Sequence, residues 1–256
     1  MQNTKSLADL FADILKTFPD TQSKPRVEHV PPLPPPKLPL GKLSKKKQWE
    51  SLIWNIDTAE AHGPQALNGL TLALARIIQA NILGGLLLDA RPGRTAPDSP
   101  DTLLWDASLK IKADGSTMKD LLRPSQKNAP LPMAHTAVIP QPWERWRLSR
   151  ALQNLGQDGG WGKWRQTENT YSIGWRPWPV VWISNGNHTA MASILTHGGE
   201  LEVSDWLDAE ELLLSVTCNG TNWLRTDDGQ TIAPVESLPM AGIFEIGRRL
   251  VKTPKR

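Results

Sequence analysis

A single cysteine, Cys218, excludes a disulfide within the chain and with it the small disulfide-stapled folds. No histidine lies close to it in sequence and nothing around it would stabilise a thiolate. It therefore reads as a small hydrophobe in a buried strand over 212–218, not as a nucleophile. One cysteine suits a reducing compartment, and the residues after Lys5 lack the continuous apolar run of a secretory signal, so a cytoplasmic location is expected. Excess charge is scarce too. The net charge of +3 is too small to point to nucleic acid by itself. There is no His-Glu-x-x-His, no cysteine cluster and no Gly-x-Ser-x-Gly. The run Gly159-Gly160-Trp161-Gly162-Lys163-Trp164 lacks the Gly-Lys-Ser/Thr ending of a phosphate loop. It reads either as a loop flanking a pocket, with Lys163 toward phosphate, or as a surface turn pinned by its tryptophans.

The one long apolar stretch, 67–88, is interrupted by Asn68, Arg76, Gln79, Asn81 and Gly84-Gly85. Polar groups in the middle of a lipid-embedded helix are costly, so a buried helix is expected and no membrane insertion. His135, His188 and His197 do not fall at metal-ligand spacing on one element. Glu200, Glu202 and Asp205 fit either a solvated acidic face or carboxylates for Mg²⁺, and no metal ligand is assigned.

Tryptophan, by contrast, is abundant: 12 residues against 1 tyrosine and 3 phenylalanines. Core packing is the ordinary use of so many indoles, and stacking on a base or sugar beside a basic groove is the sharper one. Along the chain, Leu7, Leu10, Phe11, Ile14, Leu15 and Phe18 share one face of a helix over 4–18, within an N-terminal segment 1–24. A Pro- and Lys-rich linker follows over 25–45, with Pro31-Pro32-Leu33-Pro34-Pro35-Pro36 at its centre. Residues 46–130 are mainly helical. One helix carries Trp49, Leu52, Ile53 and Ile56, and a second runs from Gln65 to Asn81 and breaks near Gly84-Gly85. Loop 91–103 leads to the Asp114-Gly115 turn and a short helix at 118–122.

Over 131–252 strands and helices mix without βαβ spacing, giving an α+β domain before a basic tail at 253–256. Its elements are a strand at 136–140, a helix at 144–154, strands at 171–174 and 179–184, and a helix at 188–196. The turns Asn219-Gly220 and Asp228-Gly229 then bracket a strand at 222–225, and a helix at 241–251 ends the domain.

The chemistry concentrates at Asn185-Gly186-Asn187-His188-Thr189. Val180–Ser184 is a buried strand, Gly186 permits a sharp turn, Asn185 or Asn187 caps the next helix, and His188 and Thr189 open it. A helix start presents unpartnered N–H groups and a positive dipole, which suit an anion such as phosphate. An imidazole there could donate to the anion or act as general acid or base, if its helix start is exposed.

The run Trp182-Ile183-Ser184-Asn185-Gly186-Asn187-His188-Thr189-Ala190-Met191-Ala192 resembles the strand, Gly-x-His-Arg, helix element of the ParB/sulfiredoxin-like superfamily. Val138-Ile139-Pro140, Trp143 and Arg150 are similar to its opening strand and arginine-bearing helix start. The resemblance covers about residues 135–200 and implies an α+β domain with a nucleotide- or phosphate-binding pocket. Members include CTP-binding partition proteins, nucleases, ATP-dependent enzymes and plasmid fertility-inhibition proteins. Thr189 stands where the superfamily has arginine, and Asn187 where sulfiredoxin has cysteine. Sulfiredoxin chemistry is therefore not implied, and charge for phosphate must come from Arg145, Arg147, Arg150, Lys163 or Arg165. A closer resemblance, over about 135–251, is to an uncharacterised bacterial family of plasmids and prophages. It is carried by Gln141-Pro142-Trp143, Gly160 to Trp164, Asn185 to His188 and Ile243-Phe244-Glu245-Ile246-Gly247.

What these resemblances imply is a phosphate- or nucleotide-handling protein of a bacterial mobile genetic element, with nuclease or NTPase as the reactions that fit. His188, Asn187 and Thr189 would be catalytic. Asn185, Gly186, Arg150, Lys163 and Arg165 would hold the phosphate or nucleotide, with Mg²⁺ as its companion. Two other readings fit the same chain. One is a non-enzymatic fertility-inhibition or interference factor that grips a conjugation or replication protein. The other is an accessory protein that binds DNA.

Overall fold

Helix α1, Lys45–Ala61, starts where the Ser44 side chain accepts the Lys47 N–H, and it ends at His62. Pro64 then opens α2, Pro64–Leu88, from a position where its missing N–H costs nothing. This computed structural model describes residues 43–88, 103–126, 129–156, 158–178 and 180–252. The helix expected over 4–18, the linker up to residue 42, most of loop 91–103 and the tail 253–256 lie outside the described residues.

Next come α3 (Met118–Leu121), β1 (Arg123–Pro124), β2 (Leu131–Pro132), β3 (Ala137–Ile139), α4 (Arg145–Asn154), β4 (Tyr171–Arg176), β5 (Val180–Asn185), α5 (Asn187–Leu195), β6 (Glu200–Leu201) and β7 (Asp205–Asp208). The chain then forms α6 (Glu210–Ser215), β8 (Val216–Cys218), β9 (Asn222–Arg225), β10 (Thr231–Pro234) and α7 (Leu238–Lys252). The class is α+β, as the irregular spacing predicts.

The main sheet has the order β1-β7-β4-β5-β3. It is mixed: β4 and β5 are antiparallel, while β3 runs parallel to β5 and β7 parallel to β4. Strand β5 shows how the sheet divides the core. Its side chains alternate, so Val180 and Trp182 join the cluster under α2 and α7, while Val181 and Ile183 join the one under α4 and α5. Both faces are covered, which explains why Val180 to Ile183 is apolar without interruption. A second sheet, β10-β9-β8, is an antiparallel meander with turns at the two Asx-Gly pairs the sequence marks.

The first cluster is aromatic. Phe244 of α7 lies 5.2 Å from Trp223, 5.7 Å from Trp105 and 5.8 Å from Trp178, each ring edge to face. The α7 backbone lies close against α1 and α2 because Gly242 has no side chain. A Cβ there would sit 2.6 Å from Leu52 Cδ2 and 3.1 Å from Leu74 Cδ1. The described residues from Leu43 on form one compact unit, so the helical region expected over 46–130 and the α+β domain expected over 131–252 share a core and are not separate bodies.

Two expectations about elements change. Helix α2 does not break at Gly84-Gly85 but runs on to Leu88. Leu86, 3% exposed, is packed into the second cluster, and its carbonyl accepts the Arg145 Nε–H at 2.6 Å, so tertiary bonds outweigh the low helix propensity of two glycines. Residues 212–218 are not one buried strand. The Asp208 carboxylate accepts the Glu210 N–H, Glu210 and Glu211 occupy the positive end of α6, and the strand begins only at Val216. Helix α2 is long and apolar enough to cross a membrane by length and composition. Its central polar side chains are tied to the protein: Arg76 donates to Gln79 Oε1, and Gln79 Nε2 donates to the Val138 carbonyl at 2.6 Å.

Candidate functional site

Strand β5 ends at Asn185, Gly186 turns the chain at φ +85°, and α5 begins at once with Asn187. Glycine is required at this point. The conformation is left-handed, and a Cβ would stand 3.2 Å from Thr170 Oγ1 and 3.3 Å from Thr170 Cα.

The strand, tight turn and helix are those expected, but the capping is not. Gly186 is itself the N-cap, and no side chain caps α5. Asn185 Oδ1 accepts the N–H of Gly186, and Asn187 lies inside the first turn with Oδ1 accepting the Gln141 N–H at 2.7 Å. Neither asparagine therefore turns its oxygen to the N–H groups of the first turn, Asn187 to Thr189. The Thr189 hydroxyl donates back to the Gly186 carbonyl at 3.0 Å, which engages the hydrogen an oxyanion would need.

His188 differs most from its expectation. An exposed ring was expected, and the residue is 7% exposed. Its Nε2 accepts two backbone N–H groups, from Glu144 at 3.0 Å and Trp143 at 3.3 Å, and the ring lies edge to face with Trp143 at 4.6 Å. Two donors on Nε2 require a lone pair there, so the neutral ring carries its proton on Nδ1. Burial pushes its pKa below the usual histidine value; Arg147 lowers it further and Glu144 opposes.

Helix α4 packs across this turn, and between α4 and α5 lies a cavity of about 400 Å³. Asn185, Gly186, Asn187, His188 and Thr189 form one wall. Trp146, Arg147 and Arg150 of α4 form another, and Trp161 lies on the loop beyond it. That loop folds back onto α4, with the Trp161 N–H on the Asn154 carbonyl at 2.8 Å, while Trp164 is buried and anchors it. Arg150 lies over the Trp161 ring at 5.8 Å. Arg147 lies over Trp146 at 5.4 Å and pairs with Glu144 at 2.5 Å.

Of the residues the sequence pointed to, Asn185, Gly186, Asn187, His188, Thr189, Arg147 and Arg150 converge on one cavity. Lys163 and Arg165 are exposed and do not line it, and Arg145 turns to Leu86 instead. Trp146 and Trp161 complete the wall. The signal for Trp146 was its i, i+1, i+4 spacing with Arg147 and Arg150, which places all three on adjoining faces of one helix. Trp54, Trp146 and Trp161 are the exposed tryptophans among the described residues, and two of them line this cavity.

A larger cavity, about 550 Å³, is lined by His135, Arg176, Trp206, Asp208 and Glu210 among others. Arg176 and Asp208 are neighbours in the β4–β7 register, so this lining carries both signs of charge side by side. Among the described residues no group of three or more His, Cys, Asp or Glu could hold a metal ion, and Glu200, Glu202 and Asp205 do not converge on one.

No curated protein and no solved structure matches the chain. A family model matches residues 43–255, which is the whole folded unit described above, and the chain belongs to that family, DUF6710, a family of unknown function.

Proposed function

We propose that the cavity between α4 and α5 binds a phosphate-bearing ligand with a planar base: a nucleotide, free or at the end of a nucleic-acid strand. The phosphate would take the uncapped first-turn N–H groups of α5 together with Arg150, and the base would stack on Trp161 or Trp146. One observation carries the reading. A helix start without a side-chain cap, two arginines and two of the exposed tryptophans line a single cavity of about 400 Å³. That volume lies within the range of small-ligand sites.

The reading is one of binding first. His188, Asn187 and Thr189 each engage, within the chain, an atom a reaction would use. The ParB/sulfiredoxin-like resemblance of the run Trp182 to Ala192, a likeness of sequence, would make this a mobile-element protein that handles nucleotides or DNA. A nuclease or NTPase step with Mg²⁺ remains part of that proposal.

Calorimetric titration of the full chain with CTP, ATP and a short single-stranded DNA tests it. At least one should bind saturably, and Arg150→Ala should weaken it about 10- to 100-fold, the loss of one charged hydrogen-bond donor. Equal binding by the two proteins, or none by either, overturns the reading.

A further inference from the structure

The bonds at His188 join two helix starts. Helix α4 begins with Glu144 at its N-cap, and the Glu144 side chain makes no capping bond. The cap comes from α5: His188 Nε2 accepts the N–H groups of Trp143 and Glu144. Asn187 holds the other end of the same connection through the N–H of Gln141. Consecutive residues of α5 thus fix residues 141–144, and α4 departs from there carrying Trp146, Arg147 and Arg150 toward the cavity. We infer that His188 is a positioning residue, a latch that holds Trp146, Arg147 and Arg150 of α4 against the start of α5 only while its ring is neutral.

This inference rests on the ligand reading above. Its chemistry is that of an acceptor turned donor. A proton added to Nε2 would face two N–H groups and the positive end of α4, so both hydrogen bonds that His188 now accepts would become repulsive. The charged groups that face the ring come from α4 and its N-cap. Arg147 opposes protonation and Glu144 favours it, while Arg150 lines the same cavity farther along the helix. The turn and α5 contribute the uncharged Asn185, Asn187 and Thr189. Burial is the largest opposition, and it holds the ring's pKa below the ordinary histidine value.

The test compares the full chain with His188→Gln, which restores an acceptor that does not titrate, and His188→Ala, which removes it. CTP binding is measured from pH 7.5 to 5.0, so that protonation of the ligand is common to all three proteins. Two results are expected: His188→Gln recovers the binding lost in His188→Ala at pH 7.5, and as the pH falls toward 5.0 the natural protein loses several-fold more affinity than His188→Gln. Identical pH profiles for the natural protein and His188→Gln overturn the latch. If CTP binds none of the three, the ligand reading fails but the latch is still decided by nuclear magnetic resonance. Titration of the His188 ring should shift the Glu144 amide and the Trp146 indole together, and titration that leaves both unmoved overturns it.

Discussion

Arg150 and Trp161 stack with the guanidinium carbon 5.8 Å from the indole centre, on the wall of the cavity that faces the start of α5. The pair places a fixed cation beside an aromatic surface, the combination that a phosphate and a base need together. Replacing Trp161 by alanine should weaken nucleotide binding by about 1–3 kcal/mol, the usual worth of one stacked base. Trp54→Ala is the control. That indole is 65% exposed on α1 and does not line the cavity, so its loss should leave binding unchanged in the same calorimetric titration.

Gly186→Ala should destabilise the fold by about 1–2 kcal/mol, because a left-handed backbone is unfavourable for any residue with a Cβ. The close approach to Thr170 adds to that cost. The shift appears as a lower urea midpoint at unchanged slope. An unchanged midpoint would mean that the turn is not held at positive φ.

Stability should depend on pH through His188. Its folded pKa is depressed, so between that value and the ordinary one the unfolded chain binds more protons than the folded chain. The ring's contribution is therefore complete above about pH 6.5 and falls as the pH drops toward the folded pKa. Urea unfolding at pH 7.5, 6.5 and 5.5 should show this decline in the natural protein and a shallower one in His188→Gln.

Cys218 should react slowly with thiol reagents. Burial pushes its pKa up to about 11, although the Gly220 N–H on Sγ works in the other direction. At pH 8 the native chain should label with iodoacetamide far more slowly than the chain in urea. Equal rates would place the thiol at the surface.

Much of the fold was legible where one local signal had no competitor. The Asn-Gly and Asp-Gly turns marked the two ends of β9, and the β-branched run before Gly186 marked β5. Residues 212–218 were harder because Leu212, Leu213 and Val216 are all buried, and an uninterrupted apolar run looks alike in a helix and in a buried strand. Here the cap from Asp208 decides, a bond that can be identified only once β7 is in place.

At the site, the sequence located the turn but not the environment of the ring. Whether His188 faces solvent depends on α4, which arrives from some forty residues earlier in the chain, and on two N–H groups that no motif records. The tryptophans were ambiguous for a related reason. Trp178 and Trp223 are fully buried around Phe244 while Trp146 and Trp161 are half exposed, and only tertiary packing separates the two uses.

The central claim concerns the start of α5, and amide and indole chemical shifts report on it directly. On addition of CTP or ATP to the isotopically labelled full chain, the backbone amides of Asn187, His188 and Thr189 and the indole N–H signals of Trp146 and Trp161 should move together and saturate. Shifts confined to His135, Arg176 and Trp206, or no shifts with either nucleotide, would contradict it.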